Sequence, residues 1–120
     1  MERSPAIVQQ SLYHWSMSGV AVVDLEVLAR VGLALSDRSR REIMARMLDG
    51  PAYPAELADE LGMTRANVSN HLACLRGCGL VVATPEGRRV RYEISHPSLR
   101  TALRQLGSLD LAVLDEACGR

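Results

Sequence analysis

Hydrophobic residues recur every three to four positions along most of this chain, a spacing that predicts helices. The predicted helices cover about residues 5–19, 21–36, 38–48, 55–61, 64–77 and 97–117. Two short runs, at 80–84 and 90–94, are rich in β-branched residues and predict two strands joined by a turn at 85–89. The chain is therefore predicted to be mainly helical, with one small hairpin before the last helix.

The helix at 64–77 begins and ends at clear local signals. Thr64 is a good N-cap residue, because its hydroxyl can accept a hydrogen bond from the first turn, and Gly77 and Gly79 favour the end of the helix. The preceding helix ends at Gly62, so residues 54–78 have the order helix, glycine-containing turn, helix, which is typical of a helix-turn-helix. The hairpin at 80–94 follows where a wing would lie.

The predicted fold is mainly α (α+β): a winged helix-turn-helix with long N- and C-terminal dimerisation helices and a two-stranded β wing. One domain is expected over residues 1–120, with an N-terminal extension or helix at 1–20, a C-terminal helix at 97–117 and a tail at 118–120. The apolar positions of the last helix exceed what so small a domain can hide, which predicts a homodimer. Two recognition helices about one DNA turn apart would read a palindromic operator.

The two faces of the helix at 64–77 differ in chemistry. Val68, Leu72 and Leu75 form one apolar stripe, while the opposite face carries short side chains that can form hydrogen bonds. Such a face suits the major groove of double-stranded DNA, and arginines at the tip of the wing suit the backbone phosphates. The predicted DNA-binding residues are Thr64, Arg65, Asn67, Ser69, Asn70 and His71 on the helix, and Arg88, Arg89 and Arg91 on the wing.

Charge is distributed unevenly, although the whole chain has 14 basic and 14 acidic residues and no net charge. Residues 62–104 contain seven arginines and only two glutamates, which indicates one basic surface. Four further arginines, at positions 38, 40, 41 and 46, fit either a DNA-facing side or a solvated helix face. No run of 18 apolar residues and no secretory signal is present, so no membrane partner and a cytoplasmic location are expected.

Two thiols lie on one side of the proposed recognition helix. Cys74 and Cys78 are four residues apart, which places their Cβ atoms about 5–6 Å from each other. That spacing provides half of a metal site. The third cysteine of the chain, Cys118, lies near its C-terminal end. An odd number of cysteines argues against a disulfide framework and leaves metal binding, redox sensing or simple burial.

Three segments carry a resemblance to a known family. They are LDG at 48–50, TRANVSNHLACLRGCGLVVAT at 64–84 and EGRRVRY at 86–92. The chain from about Leu28 onwards resembles the ArsR/SmtB family of metal-responsive winged-helix repressors, and in particular its cadmium- and lead-sensing members. The resemblance implies a dimeric repressor whose metal site joins two recognition-helix cysteines, here Cys74 and Cys78, to one from the C-terminal tail, here Cys118. Residues 1–20 are an extension beyond it.

Three thiolates favour Cd(II) or Pb(II) as the inducer, with As(III) or Sb(III) as the alternative at the same cysteines. Zinc prefers a fourth ligand, which His71 could supply. The predicted response is release of operator DNA when the metal binds. A thiol redox switch on the same fold is a second alternative, because Arg76 lies between the two helix cysteines. An enzyme is not predicted, because no residue is placed to orient His71 and no phosphate-binding loop is present.

Overall fold

The computed structural model describes residues 22–114, which form five helices and one two-stranded antiparallel sheet. The predicted helix at 5–19 and the tail with Cys118 lie outside the described residues. The elements are α1 (Leu25–Leu35), α2 (Arg38–Met47), α3 (Pro54–Leu61), α4 (Arg65–Gly77), β1 (Val81–Glu86), β2 (Arg89–Ile94) and α5 (Pro97–Gly107). The predicted winged helix-turn-helix is confirmed.

Side-chain caps determine where the first two helices begin. Asp24 Oδ1 accepts a hydrogen bond from the main-chain N–H of Glu26 at 2.9 Å, so α1 begins at Leu25, later than predicted. Asp37 Oδ2 accepts one from the N–H of Arg40 at 3.0 Å and begins α2. Aspartate at these positions satisfies amide groups that have no partner within the helix.

The turn between α3 and α4 depends on Gly62. Its φ of +67° is left-handed, a conformation that glycine adopts without a steric penalty. The N–H of Met63 then donates to the carbonyl of Ala58 at 3.0 Å and closes the end of α3. Thr64 Oγ1 accepts from the N–H of Asn67 at 3.1 Å, so the predicted N-cap of α4 is confirmed.

The two strands of the wing extend further towards the turn than the sequence predicted, within nearly the same bounds of the hairpin. Strand β1 continues through Pro85 to Glu86, which pairs with Arg89, and only Gly87 and Arg88 form the turn. Gly87 has a φ of +63°, as the first position of a tight two-residue hairpin turn requires. At the other end of the hairpin, Ala52 and Tyr92 exchange two main-chain hydrogen bonds of 2.9 Å, which attach the wing to the loop before α3.

One apolar core joins these elements. It contains the predicted stripe of α4, all three residues of which are at most 1% exposed, together with inward residues of α2, α3 and the base of the wing. The core residues are Ala34, Ile43, Met44, Met47, Ala52, Leu57, Ala58, Val68, Leu72, Leu75, Leu80, Val81 and Ile94. Within residues 22–114, no helix has the length and hydropathy needed to cross a lipid bilayer.

The C-terminal helix predicted over 97–117 is shorter in the structure. The prediction of a homodimer was based on the apolar stripe of this helix, so the difference affects which residues could form that stripe. Helix α5 ends at Gly107, and residues 109–114 have no regular secondary structure. Glycine has a low helix propensity, and the Ser108 hydroxyl donates to the carbonyl of Arg104 in competition with the main chain. Leu109, Val113 and Leu114 therefore do not continue the apolar stripe of the helix.

Two of the four arginines of α2 donate hydrogen bonds to main-chain carbonyls of α1. Arg40 donates to the carbonyls of Ala34 and Leu33, at 3.0 and 2.9 Å, and Arg41 donates to that of Leu35 at 2.8 Å. These carbonyls belong to the last turn of α1, where the main chain no longer supplies a full set of helical donors; Leu33 also accepts from the main-chain N–H and the hydroxyl of Ser36. The two side chains therefore fix the angle between α1 and α2.

Candidate nucleic-acid interface and thiol pair

Helix α4 presents an uncovered polar face. Arg65, Asn67, Ser69 and Asn70 are all exposed, and so is the N-cap Thr64. The side chains of Arg65, Ser69 and Asn70 make no hydrogen bond or ion pair with other residues in the 22–114 range. Their donors and acceptors are therefore not engaged by other residues of that range.

His71 lies in a different environment from the other predicted DNA-binding residues of α4. Its side chain is 22% exposed, and Nδ1 lies 3.9 Å from Asp37 Oδ2. Asp37 is the N-cap of α2, and the N–H of Arg40 keeps the pKa of its carboxyl below the ordinary value, with a smaller contribution from the proximity of His71. His71 thus connects the recognition helix to α2, and this side of the ring faces protein.

The three wing arginines also differ from one another. Arg88 is exposed in the two-residue turn and has no ion-pair partner among the described residues. Arg89 Nη2 lies 3.6 Å from Glu56 Oε2, and Arg91 Nε lies 2.9 Å from Glu86 Oε2. Only the first of the three therefore has its full charge uncompensated by neighbouring carboxylates.

Tyr53 connects the wing to α3. Its hydroxyl donates to Glu86 Oε1 at 2.6 Å, and the guanidinium carbon of Arg89 lies 3.5 Å from the centre of its ring. The hydrogen bond to Glu86 raises the pKa of Tyr53 above its ordinary value, and partial burial and the Glu86 charge act in the same direction. The ring and the hydroxyl thus hold two wing residues at once.

The two thiols lie side by side near the end of α4. Cys74 and Cys78 are both half-buried and unpaired, and the N–H of Cys78 donates to the carbonyl of Cys74 at 3.0 Å. Cys78 is the C-cap of the helix and lines a groove of about 720 Å³ between α1 and α5, to which Leu28 and Leu106 also contribute. The sequence-predicted pair is therefore on one side of one helix.

No complete metal site is formed by residues 22–114 alone. No three histidine, cysteine or acidic side chains within that range are grouped so that they could hold an ion. Cys118, the third predicted ligand, lies outside the described residues. Two thiols could provide half of a site for a thiophilic metal, and a site with three ligands would need a donor from outside residues 22–114.

Sequence reasoning missed three residues that tie the elements together. Arg100 and Arg104 on α5 donate to carbonyls at the end of α2, and Tyr53 holds the wing. Tyr53 offered one signal, since it stands at a helix N-cap where tyrosine cannot supply a capping hydrogen bond. An aromatic side chain at that position indicates a role elsewhere.

Comparison with known proteins agrees with this arrangement. Residues 37–82 match the family described as "Bacterial regulatory protein, arsR family". Over 92 residues, the chain is 56% identical to the HTH-type transcriptional regulator CmtR of Mycobacterium tuberculosis, and the match covers 76% of this chain and 78% of CmtR. These relatives are transcriptional regulators of the helix-turn-helix type and are not enzymes.

Two solved structures are similar to this one. The NMR structure of the cadmium metal-sensor CMTR from Mycobacterium tuberculosis superimposes with a TM-score of 0.62, covering 75% of this chain and 95% of that chain at 56% identity. The homodimeric winged helix-turn-helix domain of Mb0332 from Mycobacterium bovis, a possible ArsR-family regulator, gives a TM-score of 0.65 at 25% identity, covering 89% and 83% of the two chains. The chain described here belongs to the ArsR family of bacterial transcriptional regulators.

Proposed function

We propose that this protein is a metal-responsive transcriptional repressor that binds operator DNA as a homodimer and releases it when Cd(II) or Pb(II) binds to Cys74, Cys78 and Cys118. The observation that carries the proposal is the position of the thiol pair on the same helix as the exposed polar face. A ligand of these thiols would act directly on the helix that meets DNA. The similarity to CmtR of Mycobacterium tuberculosis, a cadmium metal-sensor, supports this interpretation.

The length of the chain after α5 would allow Cys118 to reach the other two proposed ligands. Leu106, near the end of α5, lines the same groove as Cys78. Cys118 lies 12 positions after Leu106 in the sequence, and an extended chain of that length spans about 40 Å. Three thiolates would supply a soft donor set that favours Cd(II) and Pb(II), with As(III) or Sb(III) as the alternative ions at the same cysteines.

Ligation would change the position of the segment after α5. With Cys118 held beside Cys74 and Cys78, the residues from Ser108 onwards would be drawn against the C-terminal end of α4. That constraint would shift the recognition helix relative to its partner in the dimer. Coupling of the usual allosteric size, about 1–3 kcal/mol, corresponds to a loss of DNA affinity of about 5- to 150-fold.

The proposed DNA interface uses both motifs. Base edges and nearby phosphates would be met by Thr64, Arg65, Asn67, Ser69, Asn70 and His71, and the wing that carries Arg88, Arg89 and Arg91 would lie against the adjacent backbone. Chromosomal DNA as the target implies a cytoplasmic location. A homodimer is supported by apolar side chains that the protomer leaves at least half exposed, namely Val22, Leu25, Leu28, Leu33, Leu106, Leu109, Leu111, Val113 and Leu114.

An anaerobic titration tests the proposal. Reduced protein is titrated with Cd(II) or Pb(II) while thiolate-to-metal ultraviolet absorption and the anisotropy of an operator duplex are followed together. We expect saturation near one ion per subunit, an intensity typical of three thiolates, and release of the duplex. Cys74→Ser, Cys78→Ser and Cys118→Ser should each bind the duplex normally and lose metal-induced release. Unchanged release in any of these variants would contradict the ligand set.

Two further experiments separate the alternatives. Peroxide in the presence of a chelator should leave DNA binding unchanged, whereas release under those conditions would establish a redox switch instead. Mixed dimers test our expectation that Cys118 comes from the opposite subunit. A dimer of one Cys118→Ser subunit and one Cys74→Ser/Cys78→Ser subunit retains one complete site only if the tail reaches across.

A further inference from the structure

We infer that Tyr53, Glu56, Glu86 and Arg89 form a latch that sets the position of the wing, and that Arg88 is the wing residue that neutralises a DNA phosphate. Tyr53 is thereby assigned as a positioning residue for DNA binding. The inference rests on the DNA-binding half of the proposed function and is independent of the metal site.

The latch begins at the root of the hairpin. The two main-chain hydrogen bonds between Ala52 and Tyr92 join the loop before α3 to β2. Tyr53 follows Ala52 directly and extends this junction towards the tip of the wing. Its hydroxyl holds Glu86 on β1, and its ring lies under Arg89 on β2, within the distance of a cation–π contact. One side chain therefore contacts both strands where they approach the turn.

Carboxylates complete the latch and compensate the charge of two arginines. Glu86 uses one carboxylate oxygen for Tyr53 and the other for Arg91, which also lies 3.8 Å from Glu93. Glu56 on α3 lies 3.6 Å from Arg89. A single exposed ion pair stabilises a protein little, but here the pairs share partners and converge on one aromatic ring. Arg88 is outside this network.

The consequence is a division of roles within one basic hairpin. A phosphate contact by Arg89 or Arg91 would require the side chain to leave a carboxylate, whereas Arg88 can meet a phosphate without that cost. Each phosphate neutralised by a protein releases counterions, and the logarithm of the binding constant then falls with the logarithm of salt concentration by about 0.9 per contact. The slope of the logarithm of the binding constant against the logarithm of salt concentration therefore reports how many arginines contact phosphates.

The first experiment compares Arg88→Gln, Arg89→Gln and Arg91→Gln. All three remove one positive charge from the same hairpin, so each is a matched control for the net charge of the others. The probe is a duplex selected from a random library with the wild-type protein, and binding is measured with chelator present at several salt concentrations. We expect the slope to fall by about one per wing for Arg88→Gln and to be unchanged for Arg91→Gln. Arg89→Gln removes a residue of the latch and should therefore weaken binding to the selected duplex, as the Tyr53 variants do. Equal falls for all three would overturn the division of roles.

The second experiment tests the latch with Tyr53→Phe and Tyr53→Ala. Loss of the hydroxyl should weaken binding to the selected duplex about 2- to 10-fold, the usual effect of one hydrogen bond, and loss of the ring should weaken it further. Binding to a duplex shortened so that the wing has no backbone to meet should be unchanged. A purely structural role would weaken binding to both duplexes equally, and that result would overturn the latch.

Failure of the proposed function is distinguishable from failure of the latch. If the wild-type protein binds no duplex, DNA binding itself is refuted. If it binds the duplex but does not release it when metal is added, only the proposed metal response is refuted. Tyr53 variants that bind both duplexes like the wild type, while Cys variants behave as expected, would refute only the latch.

Discussion

Arg100 on α5 donates through Nη1 to the main-chain carbonyl of Leu48 at 3.0 Å, across 52 residues of sequence. The same nitrogen also donates to the carbonyl of Met47 at 3.0 Å, and Arg104 Nη2 donates to that of Leu48 at 2.7 Å. These carbonyls end α2 and have no partner within the helix. The start of the C-terminal region is therefore fastened to the body of the DNA-binding domain, which fixes the point from which the tail towards Cys118 departs.

Replacing Arg100 by Gln is expected to destabilise the protein by about 1–3 kcal/mol, because two half-buried carbonyls lose a charged donor. Urea denaturation at a fixed protein concentration measures the change. Gln105→Ala, an exposed substitution on the same helix, is the control and should have little effect. Equal stability of the Arg100 and Gln105 variants would show that these hydrogen bonds do not hold α5 in place.

Backbone strain at the turn of the helix-turn-helix can be tested at Gly62. Gly62→Ala should destabilise by about 1–2 kcal/mol, because an L-residue there must adopt a left-handed conformation. A Cβ atom at this position would meet nothing within 4 Å, so the cost comes from conformation and not from a clash. Gly77→Ala is the matched control, since it also has open space but an ordinary helical backbone.

The expected change in the free energy of unfolding for Gly77→Ala has the opposite sign to that for Gly62→Ala. It should stabilise by about 0.5–1 kcal/mol, because alanine loses less backbone freedom on folding. Thermal or urea unfolding of both variants provides the comparison. Equal effects of the two substitutions would contradict the assignment of a left-handed Gly62.

Sequence discrimination is expected to depend on the exposed face of α4. Asn70→Ala should reduce the preference for operator over a scrambled duplex by about 1–3 kcal/mol, the contribution of one good base contact. Binding to the scrambled duplex should change little, because phosphate contacts carry no sequence information. Anisotropy titrations on the two duplexes measure the ratio. A parallel loss on both would indicate that Asn70 touches backbone only.

The hydrogen bond between Tyr53 and Glu86 predicts a dependence on alkaline pH. The pKa of Tyr53 is raised, so the folded state favours the protonated phenol. Its contribution to stability is complete below the pKa of an unfolded tyrosine, about 10, and is lost as pH rises through the higher folded value. Glu86→Gln should lower the pKa of Tyr53, as measured by NMR of its ring carbon. An unchanged pKa in that variant would show that the hydrogen bond is not formed in solution.

The sequence alone was sufficient to predict the structural features that depend on contacts between residues a few positions apart. The buried stripe of α4, the cap at Thr64, the turn at Gly62 and the shared side of Cys74 and Cys78 all follow from helical periodicity and from the backbone preference of single residues. These features were predicted correctly because neighbours in sequence are also neighbours in space.

Tertiary packing determined how the charged side chains are used and where the last helix ends. Seven arginines between 62 and 104 look alike in sequence, yet Arg88 is free of carboxylates in the described part of the chain, Arg89 lies on Tyr53, and Arg100 caps α2. A long charged side chain reaches many partners, and only the packed fold selects one. The end of α5 at Gly107 likewise reflects local competition by Ser108 that periodicity alone does not reveal.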